Sequence, residues 1–267
     1  MTTPDTYELF AVKYAHHGER YANLNFIGGD PHDGPMPLDF YVWLARGTTR
    51  SIVVDLGFNA ETARHRKREL LRNPAEGLRL LDVDPAKVED VILTHLHYDH
   101  VGNFDLFPAA KFHLQDKEME YATGRHMAHR PFGEAYAVED VVGLVREVYR
   151  GRVVFHDGDA ELAPGLSVHH IGGHTAGLQV VRVMTRRGWV LLASDAAHLY
   201  ANFQTVRPFP IVFHVGDMIE GYRRIRELAD SEDHIIPGHD PLVMKRYRAV
   251  SPTLDGIAVR LDVDPRG

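Results

Sequence analysis

The stretch "THLHYDH", residues 94–100, places three histidines and one aspartate within six consecutive positions. It comes at the end of "VEDVILT" (88–94), whose apolar and β-branched residues predict a strand. In the turn that follows a strand, alternate side chains can converge on one point, and clustered imidazole and carboxylate groups are typical of a zinc site. The alternative interpretation is a polar loop with a capping aspartate and surface histidines.

A metal site needs further ligands, and three polar residues elsewhere in the chain occupy a similar context. Each follows an apolar run and precedes a loop beside small residues, which predicts a position on the rim of a sheet. They are His174 in "IGGHTAG" (171–177), Asp195 in "LLASDAA" (191–197) and His239 in "IIPGHDP" (235–241).

Alternating elements organise the first half of the chain. The pattern predicts strands at 7–15, 39–47 and 50–57, a surface loop at 28–37, a helix over 59–72, a strand passing into a helix over 110–123, and helical structure over 116–150. The basic stretch "RHRKREL" (64–70) is interpreted as a solvated helix face.

The second half repeats this style. The pattern predicts strands joined by turns over 152–173, a hairpin over 177–197, a helix over 215–230 with Met218, Ile219, Tyr222, Ile225 and Leu228 on its apolar side, and a short strand and loop over 233–240. Strands, helices, strands and helices in this order predict two α/β halves packed as a four-layer αβ/βα sandwich, within one domain spanning residues 1–267.

Composition restricts the function classes. The 267 residues carry a net charge of −7 with a pI near 6.2, which argues against binding nucleic acid through phosphate contacts. The chain has no cysteine, so thiolate ligands, thiol nucleophiles and disulfides are excluded. Neither a signal peptide nor an apolar stretch of membrane-spanning length is recognisable. The expectation is a cytoplasmic protein without a membrane partner.

The motifs "HLHYDH", "GGHTAG", "SDA" and "PGHD", together with "VVDLG" (53–57), resemble those of the metallo-β-lactamase superfamily in the same order along nearly the whole chain. Within that superfamily, ligand spacing, length and "HLQDKEMEYA" (113–122) are similar to the N-acyl homoserine lactonases. The resemblance implies a dinuclear zinc centre, with other divalent metals as alternatives. It also leaves a homodimer open.

The resemblance also implies roles for individual residues. His95, His97 and His174 bind one zinc ion, Asp99, His100 and His239 bind the other, and Asp195 bridges the two. Asp55 orients a ligand histidine or the turn, with a strand-end cap as the alternative. The implied chemistry is attack of a metal-bound hydroxide on an ester carbonyl, with Asp99 among the catalytic residues.

This chain departs from the lactonases three residues after Asp195, where they have tyrosine and it has His198. His198 is predicted to replace the phenol as hydrogen-bond donor or proton source, with Tyr200 as the alternative, or to be a rim histidine without a role. The loops 28–37, 123–136 and 199–214 are predicted to wall the pocket. The candidate wall residues are Met127, Phe132, Phe203, Arg207 and Phe209.

The function implied is hydrolysis of a lactone, with N-acyl homoserine lactones or related lactones as small-molecule substrates. Two alternatives stay open. A glyoxalase-II-like thioesterase or another carboxylic ester hydrolase shares the metal constellation, although the family's C-terminal basic segment is not expected in the 28 residues after His239. A metal-binding or sensor protein without turnover is the non-enzymatic alternative.

Overall fold

Strand β2 (Leu38–Arg46) has apolar side chains on both of its faces, and both faces are buried. Phe40, Val42 and Leu44 pack towards one core. Tyr41 and Trp43 pack towards a second core on the other face of the sheet. A sheet covered on both faces needs a layer on each side, so this strand alone indicates an interior layer.

The computed structural model describes residues 5–266, and the strands occur in two sheets. The strands are β1 Glu8–His17, β2 Leu38–Arg46, β3 Ser51–Val54, β4 Glu69–Leu70, β5 Asp90–Ile92, β6 Lys111–Gln115, β7 Val153–His156, β8 Ala160–Ala163, β9 Leu166–His170, β10 Gln179–Thr185, β11 Gly188–Ser194, β12 Ile235–Pro237, β13 Arg248–Ala249 and β14 Ala258–Arg260. The first sheet has the order β13-β14-β1-β2-β3-β5-β6-β7, with β4 on β1, and the second has the order β12-β11-β10-β9-β8.

Helices cover the outer faces of the two sheets. They are α1 Ala60–Arg66, α2 Pro74–Arg79, α3 Tyr98–Val101, α4 Asp116–Ala122, α5 Arg130–Gly133, α6 Val138–Tyr149, α7 Tyr200–Gln204, α8 Val215–Leu228 and α9 Leu242–Arg246. One core joins α2, α4 and α6 to the first sheet, and the other lies between the sheets and reaches α8. The predicted four-layer αβ/βα sandwich is therefore confirmed. In the part of the chain that the structure describes, no helix has the length and apolar composition that a membrane crossing requires.

Strand direction explains where the polar motifs lie. Strands β3, β5, β6 and β7 run parallel, so their carboxyl ends meet at one edge of the first sheet. Asp55 follows β3, and the 94–100 stretch follows β5. In the second sheet β11 and β12 are also parallel, and Asp195 and His239 follow them. Ligands in α/β folds bind outside such carboxyl ends.

Three sequence predictions need correction. The helix predicted over 59–72 ends at Arg66, because Lys67 adopts a left-handed conformation and the chain continues into β4. The predicted strand region 152–173 is divided between the sheets, since β7 pairs with β6 of the first sheet. On α8, Met218, Tyr222, Ile225 and Leu228 are buried, whereas Ile219 is exposed.

Candidate metal centre

The 94–100 stretch leaves β5 as a turn and enters the one-turn helix α3. His100 is secured at the end of this turn, since its amide donates to the His97 carbonyl (3.0 Å) and its own carbonyl accepts from the Leu56 amide (2.7 Å). All four side chains of the cluster are buried. The surface-loop alternative is therefore wrong for these residues.

The structure brings the seven predicted ligands, which we call the metal centre, into two groups. Within each group, one nitrogen or oxygen atom per residue lies within 4.8 Å of the others. The first group is His95, His97, His174 and Asp195, and the second is Asp99, His100 and His239. This is the same division that the resemblance implies. A third combination, Asp195, His198 and His239, meets the same criterion and overlaps both groups.

The Asp195 carboxylate lies between the two groups. Its Oδ2 lies 3.2 Å from His174 Nε2 and 3.7 Å from His95 Nε2. In the second group, Asp195 Oδ1 lies 3.0 Å from His239 Nε2, and Asp195 Oδ2 lies 3.6 Å from His100 Nε2. A carboxylate presented in this way is suited to bridge two metal ions. Gly238 makes the approach possible, because a Cβ there would lie 2.7 Å from Oδ1.

Oxygen atoms outside the centre hold the far sides of three histidine rings. Nδ1 of His174 lies 2.7 Å from the carbonyl of Ile211, and Nδ1 of His239 lies 3.0 Å from the carbonyl of Asp39. For His100 the acceptor is a side chain, since Asp55 Oδ2 lies 2.7 Å from its Nδ1. Such acceptors fix the tautomer and direct Nε2 towards the centre.

Asp55 thus lies where the resemblance implies, and it also fixes the turn. Its carboxylate accepts from the Thr94 amide and hydroxyl, both at 2.8 Å. The Thr94 hydroxyl lies 2.9 Å from that of Ser194, which precedes Asp195 in the second half of the chain. Asp55 and Ser194 both have left-handed backbones (φ 59° and 44°). Strained backbone of this kind is typical of functional sites.

Glu118 connects two of the ligand loops. Its buried carboxylate accepts from the Leu96 amide (3.0 Å) in the first motif and from the Thr175 hydroxyl (2.6 Å) and Gly177 amide (3.1 Å) beside His174. Burial raises its pKa, and these donors oppose that rise. Its position explains the Glu of the "HLQDKEMEYA" segment, because this side chain positions both loops.

Burial and neighbouring charges shift the pKa values of ligand side chains in the metal centre, and at two histidines burial dominates. It lowers the pKa values of His95 and His97 well below the usual range, and neighbouring histidines lower them further. Burial acts on Asp195 in the opposite sense, but His198, His239 and His100 hold its pKa well below the ordinary value. The neutral imidazoles of His95 and His97 and the ionised Asp195 carboxylate are in the state that metal binding requires. At His100 and His239 burial is outweighed by neighbouring carboxylates, which raise the pKa of both side chains, so metal ions would have to displace protons there.

Unpaired atoms in the centre test whether metal ions fit. Nε2 of His95 and Nε2 of His100 are buried and have no hydrogen-bond partner among the described residues. Such orphaned atoms are rare in folded proteins, and a bound cation satisfies them. The donor set consists of imidazole nitrogens and carboxylate oxygens, which suits zinc and similar divalent ions. The residues therefore fit the implied pair of ions.

His198 lies against the metal centre, whereas Tyr200 does not. His198 Nε2 is 3.0 Å from Asp195 Oδ2, and its ring stacks on Phe209 with centroids 3.6 Å apart. Burial lowers its pKa to about 3, although Asp195 opposes that shift. The Tyr200 ring is buried in the core between the sheets, beneath the Arg246 guanidinium, and is not among the residues lining the cavity. The structure thus argues against the Tyr200 alternative.

A cavity of about 250 Å³ opens above the centre, and one of the five predicted wall residues, Phe209, lines it. The other four lie elsewhere. Phe203 lies in the core between the sheets, and Arg207 covers the Phe26 ring. Met127 and Phe132 pack against the core that joins α2, α4 and α6 to the first sheet. These four predictions are wrong, because the loops direct Phe203, Met127 and Phe132 towards the cores and Arg207 towards the Phe26 ring instead of the cavity.

The cavity wall includes residues that the sequence did not single out. They are His17, Arg20, Leu38, Phe40, Arg66, Arg68, Tyr98, Pro131, Glu134, Ala135 and Ile211. Arg66 and Arg68 belong to the basic stretch 64–70, so its interpretation as a solvated face is wrong at these two positions. Arg64, His65 and Lys67 are exposed as predicted. No local pattern marks this difference, which arises where α1 ends.

The sequence matches a known family over most of its length. Residues 38–240 match the family model described as the Metallo-beta-lactamase superfamily. The chain is similar to the N-acyl homoserine lactonase AiiB of Rhizobium rhizogenes, with 34% identity over 178 residues. That match covers 63% of this chain and 62% of the relative's length. An N-acyl homoserine lactonase of Bacillus thuringiensis is 28% identical over 165 residues, which is 61% of this chain and 60% of that protein.

Solved structures agree on the fold. The crystal structure of a quorum-quenching N-acyl homoserine lactone lactonase superimposes with a TM-score of 0.74 at 22% identity, covering 91% of this chain and 95% of that one. A dizinc quorum-quenching lactonase, AidC, superimposes with a TM-score of 0.67 at 16% identity, covering 90% of each chain. At these identities the likeness concerns the architecture.

Proposed function

This chain belongs to the metallo-β-lactamase superfamily, and from that premise we propose that it is a dinuclear metal hydrolase that opens a lactone ring. The observation that carries the proposal is the position of the buried Asp195 carboxylate, which lies within 4 Å of histidine nitrogens of both ligand groups. The matched curated relatives are N-acyl homoserine lactonases, of whose length the chain covers about 62%. Those lactones or related ones are the first substrates to test.

Zinc is the proposed metal, and each ligand group would hold one ion. His95, His97 and His174 would hold the first, Asp99, His100 and His239 the second, and Asp195 would contact both. When bound, two such ions would lower the pKa of a water molecule and polarise an ester carbonyl. The chain supplies no thiolate, so the site depends on nitrogen and oxygen donors.

Two protein side chains have proposed roles in addition to holding metal. Asp99 lines the cavity, with Oδ1 3.8 Å from His100 Nε2 and Oδ2 3.8 Å from His239 Nε2. An ionised carboxylate at this position can accept a proton and return it to the leaving oxygen. His198 lies 3.0 Å from Asp195 Oδ2 through its Nε2, so it can hold this carboxylate in place, and its ring forms part of the cavity wall.

The test is a pH-stat assay of zinc-loaded protein. The substrates are N-hexanoyl homoserine lactone, dihydrocoumarin, an aryl acetate and S-lactoylglutathione. We expect turnover of at least one lactone at a rate well above that of the aryl ester. Turnover confined to the thioester would overturn the lactonase proposal in favour of the thioesterase alternative. Metal bound at two ions per chain without any turnover would favour the sensor alternative.

Metal content gives an independent check on the ligand assignment. His100→Ala removes one ligand of the second group, so we expect about one zinc ion per chain and loss of turnover. His126→Ala, which changes a histidine outside both groups, is the matched control and should retain two ions. Two ions retained by His100→Ala would contradict the assignment.

A further inference from the structure

Three arginines line the cavity above the metal centre, and we call them the arginine rim: Arg20, Arg66 and Arg68. All three are half-buried. Within residues 5–266, none of them forms an ion pair with a carboxylate at 4.0 Å or less. Buried or half-buried charges are normally paired, so three unpaired guanidinium groups at one cavity need an explanation.

Neutral groups hold Arg66 and Arg68 in place. Arg66 donates to the carbonyls of Glu134 (2.6 Å) and Tyr136 (3.1 Å), and its guanidinium lies 4.2 Å from the centroid of the Tyr98 ring. Arg68 donates to the Arg66 carbonyl (2.8 Å) and to the Tyr98 hydroxyl (3.3 Å). These partners fix the side chains without neutralising them. A guanidinium has five N–H donors, so each retains several.

Arg20 is held in the same way from the other side. It donates to the Asn25 side chain and to the Leu24 carbonyl (2.6 Å), and its guanidinium lies 5.1 Å from the centroid of the Phe209 ring. Burial and Arg68 lower its pKa to about 10, so it stays protonated at neutral pH. His17 lies 3.4 Å from Arg68 and is neutral, because burial and the two arginines lower its pKa to about 4.

Acidic side chains along the cavity do not cancel this charge. The Glu134 carboxylate is paired with Arg130 at 3.0 Å, and its pKa is lowered mainly by Arg130 and less by Arg66 of the rim. The other carboxylates on the wall, Asp99 and Asp195, belong to the metal centre. Two divalent ions would exceed the charge of these two aspartates, so the loaded centre adds positive charge instead of removing it. The cavity therefore presents a cationic wall to its ligand.

We propose that Arg20, Arg66 and Arg68 form a subsite for a carboxylate carried by the substrate, so that the lactone opened here is a compact acidic one. The inference rests on the proposed lactonase function and names its substrate class. Guanidinium groups bind carboxylates through paired N–H donors, and half-buried positions strengthen the contact. A cavity of about 250 Å³ is small for a ligand pocket, which favours a short substrate.

A matched pair of substrates tests the proposal. The acidic member is 5-oxotetrahydrofuran-2-carboxylate, and the neutral member is its carboxamide, which has nearly the same size. For the zinc-loaded enzyme we expect kcat/KM to favour the carboxylate by roughly tenfold or more, the effect of one charge-assisted pair. Equal kcat/KM values for the two lactones would overturn the subsite while leaving the lactonase function intact.

Variants locate the preference on the rim. Arg66→Gln and Arg68→Gln should each reduce the carboxylate-to-carboxamide ratio of kcat/KM by roughly tenfold, mainly through KM, and Arg68→Lys should restore part of it. Arg64→Gln is the matched control, since Arg64 is exposed and lies outside the cavity wall. An unchanged ratio in both glutamine variants would contradict the proposal.

Binding of a lactam pair provides a readout that does not depend on turnover. Pyroglutamate carries the carboxylate on a ring that resists hydrolysis, and pyroglutamide is its neutral counterpart. Calorimetry on the zinc-loaded protein should show tighter binding of pyroglutamate, with the difference reduced in Arg68→Gln. Equal affinities would overturn the subsite. If the protein binds pyroglutamate more tightly but opens no lactone, the subsite is supported and the proposed function is rejected.

Discussion

The metal centre and the arginine rim face the same cavity but are held in different ways. Three histidine rings of the centre are each fixed by an oxygen acceptor, and the ligating atoms within each ligand group lie within 4.8 Å of one another. The rim consists of long side chains held by backbone carbonyls and a phenol. The centre therefore depends on one geometry, whereas the rim depends mainly on charge. Substitutions in the centre should therefore reduce activity far more than substitutions in the rim.

Among substitutions in the centre and the rim, Asp195→Asn should reduce activity the most. It replaces one oxygen of the shared carboxylate by an amide nitrogen and removes the negative charge that faces both ligand groups. We expect lactone hydrolysis to fall by roughly 10³-fold or more, in keeping with the several kcal/mol that metal ions contribute to transition-state stabilisation. Zinc content measured by plasma mass spectrometry should fall below two ions per chain.

The control for that variant is Asp217→Asn, which changes an exposed aspartate on α8. It should retain two ions and the full rate. Asp195→Asn with unchanged zinc content and rate would remove the distinction between centre and rim, because the shared carboxylate would then have no special role.

The centre could be predicted from the sequence because its ligands lie in short motifs at strand ends. His95 to His100 follow β5 directly, and Asp195 and His239 follow β11 and β12, so apolar runs mark where each ligand lies. The rim could not be predicted in this way. Arg66 and Arg68 enter the cavity wall where α1 ends at Arg66 and the left-handed Lys67 follows, and a left-handed lysine has no sequence signature.

The same contrast applies to the fold. Both halves and their layers follow from the alternation of strands and helices, since each element must bury an apolar face. Strand β7 belongs to the first sheet because it pairs with β6. Val153, the first residue of β7, lies 38 positions after Gln115, the last residue of β6. The inward turn of Phe203 depends on the core between the sheets. Contacts between distant residues decide such features, and a local pattern does not contain them.

Asp55→Asn should have the next largest effect. Asp55 Oδ2 lies 2.7 Å from His100 Nδ1, whereas His174 and His239 rely on backbone carbonyls that substitution leaves in place. We expect zinc affinity of the second group to weaken by about 10–100-fold, the usual effect of losing such an outer partner. Competition with a chelator measures this. Unaltered affinity would show that the turn alone orients His100.

Glu118→Gln should act on stability more than on metal affinity. Each oxygen of Glu118 accepts two hydrogen bonds, from the Leu96 amide and Tyr136 hydroxyl on one side and from Thr175 and Gly177 on the other. A glutamine would present N–H groups to one pair of donors. The expected loss is about 1–3 kcal/mol in the free energy of unfolding, measured by urea titration. Glu120→Gln, on the same helix, is the control.

Phe209→Leu should have the smallest effect and tests the boundary between the two regions. The Phe209 ring stacks on the His198 ring beside the metal centre, with centroids 3.6 Å apart. The guanidinium of Arg20 in the rim lies 5.1 Å from the centroid of the Phe209 ring. Losing the cation–π contact costs about 0.5–1 kcal/mol, so we expect KM for the carboxylate lactone to rise a few-fold. Zinc content should stay at two ions, because no ligand atom changes. Phe213→Leu, outside the cavity wall, is the control. If Phe209→Leu loses zinc as well, the rim and the centre are one coupled unit, since the stack on His198 would then be needed to hold Asp195 in place.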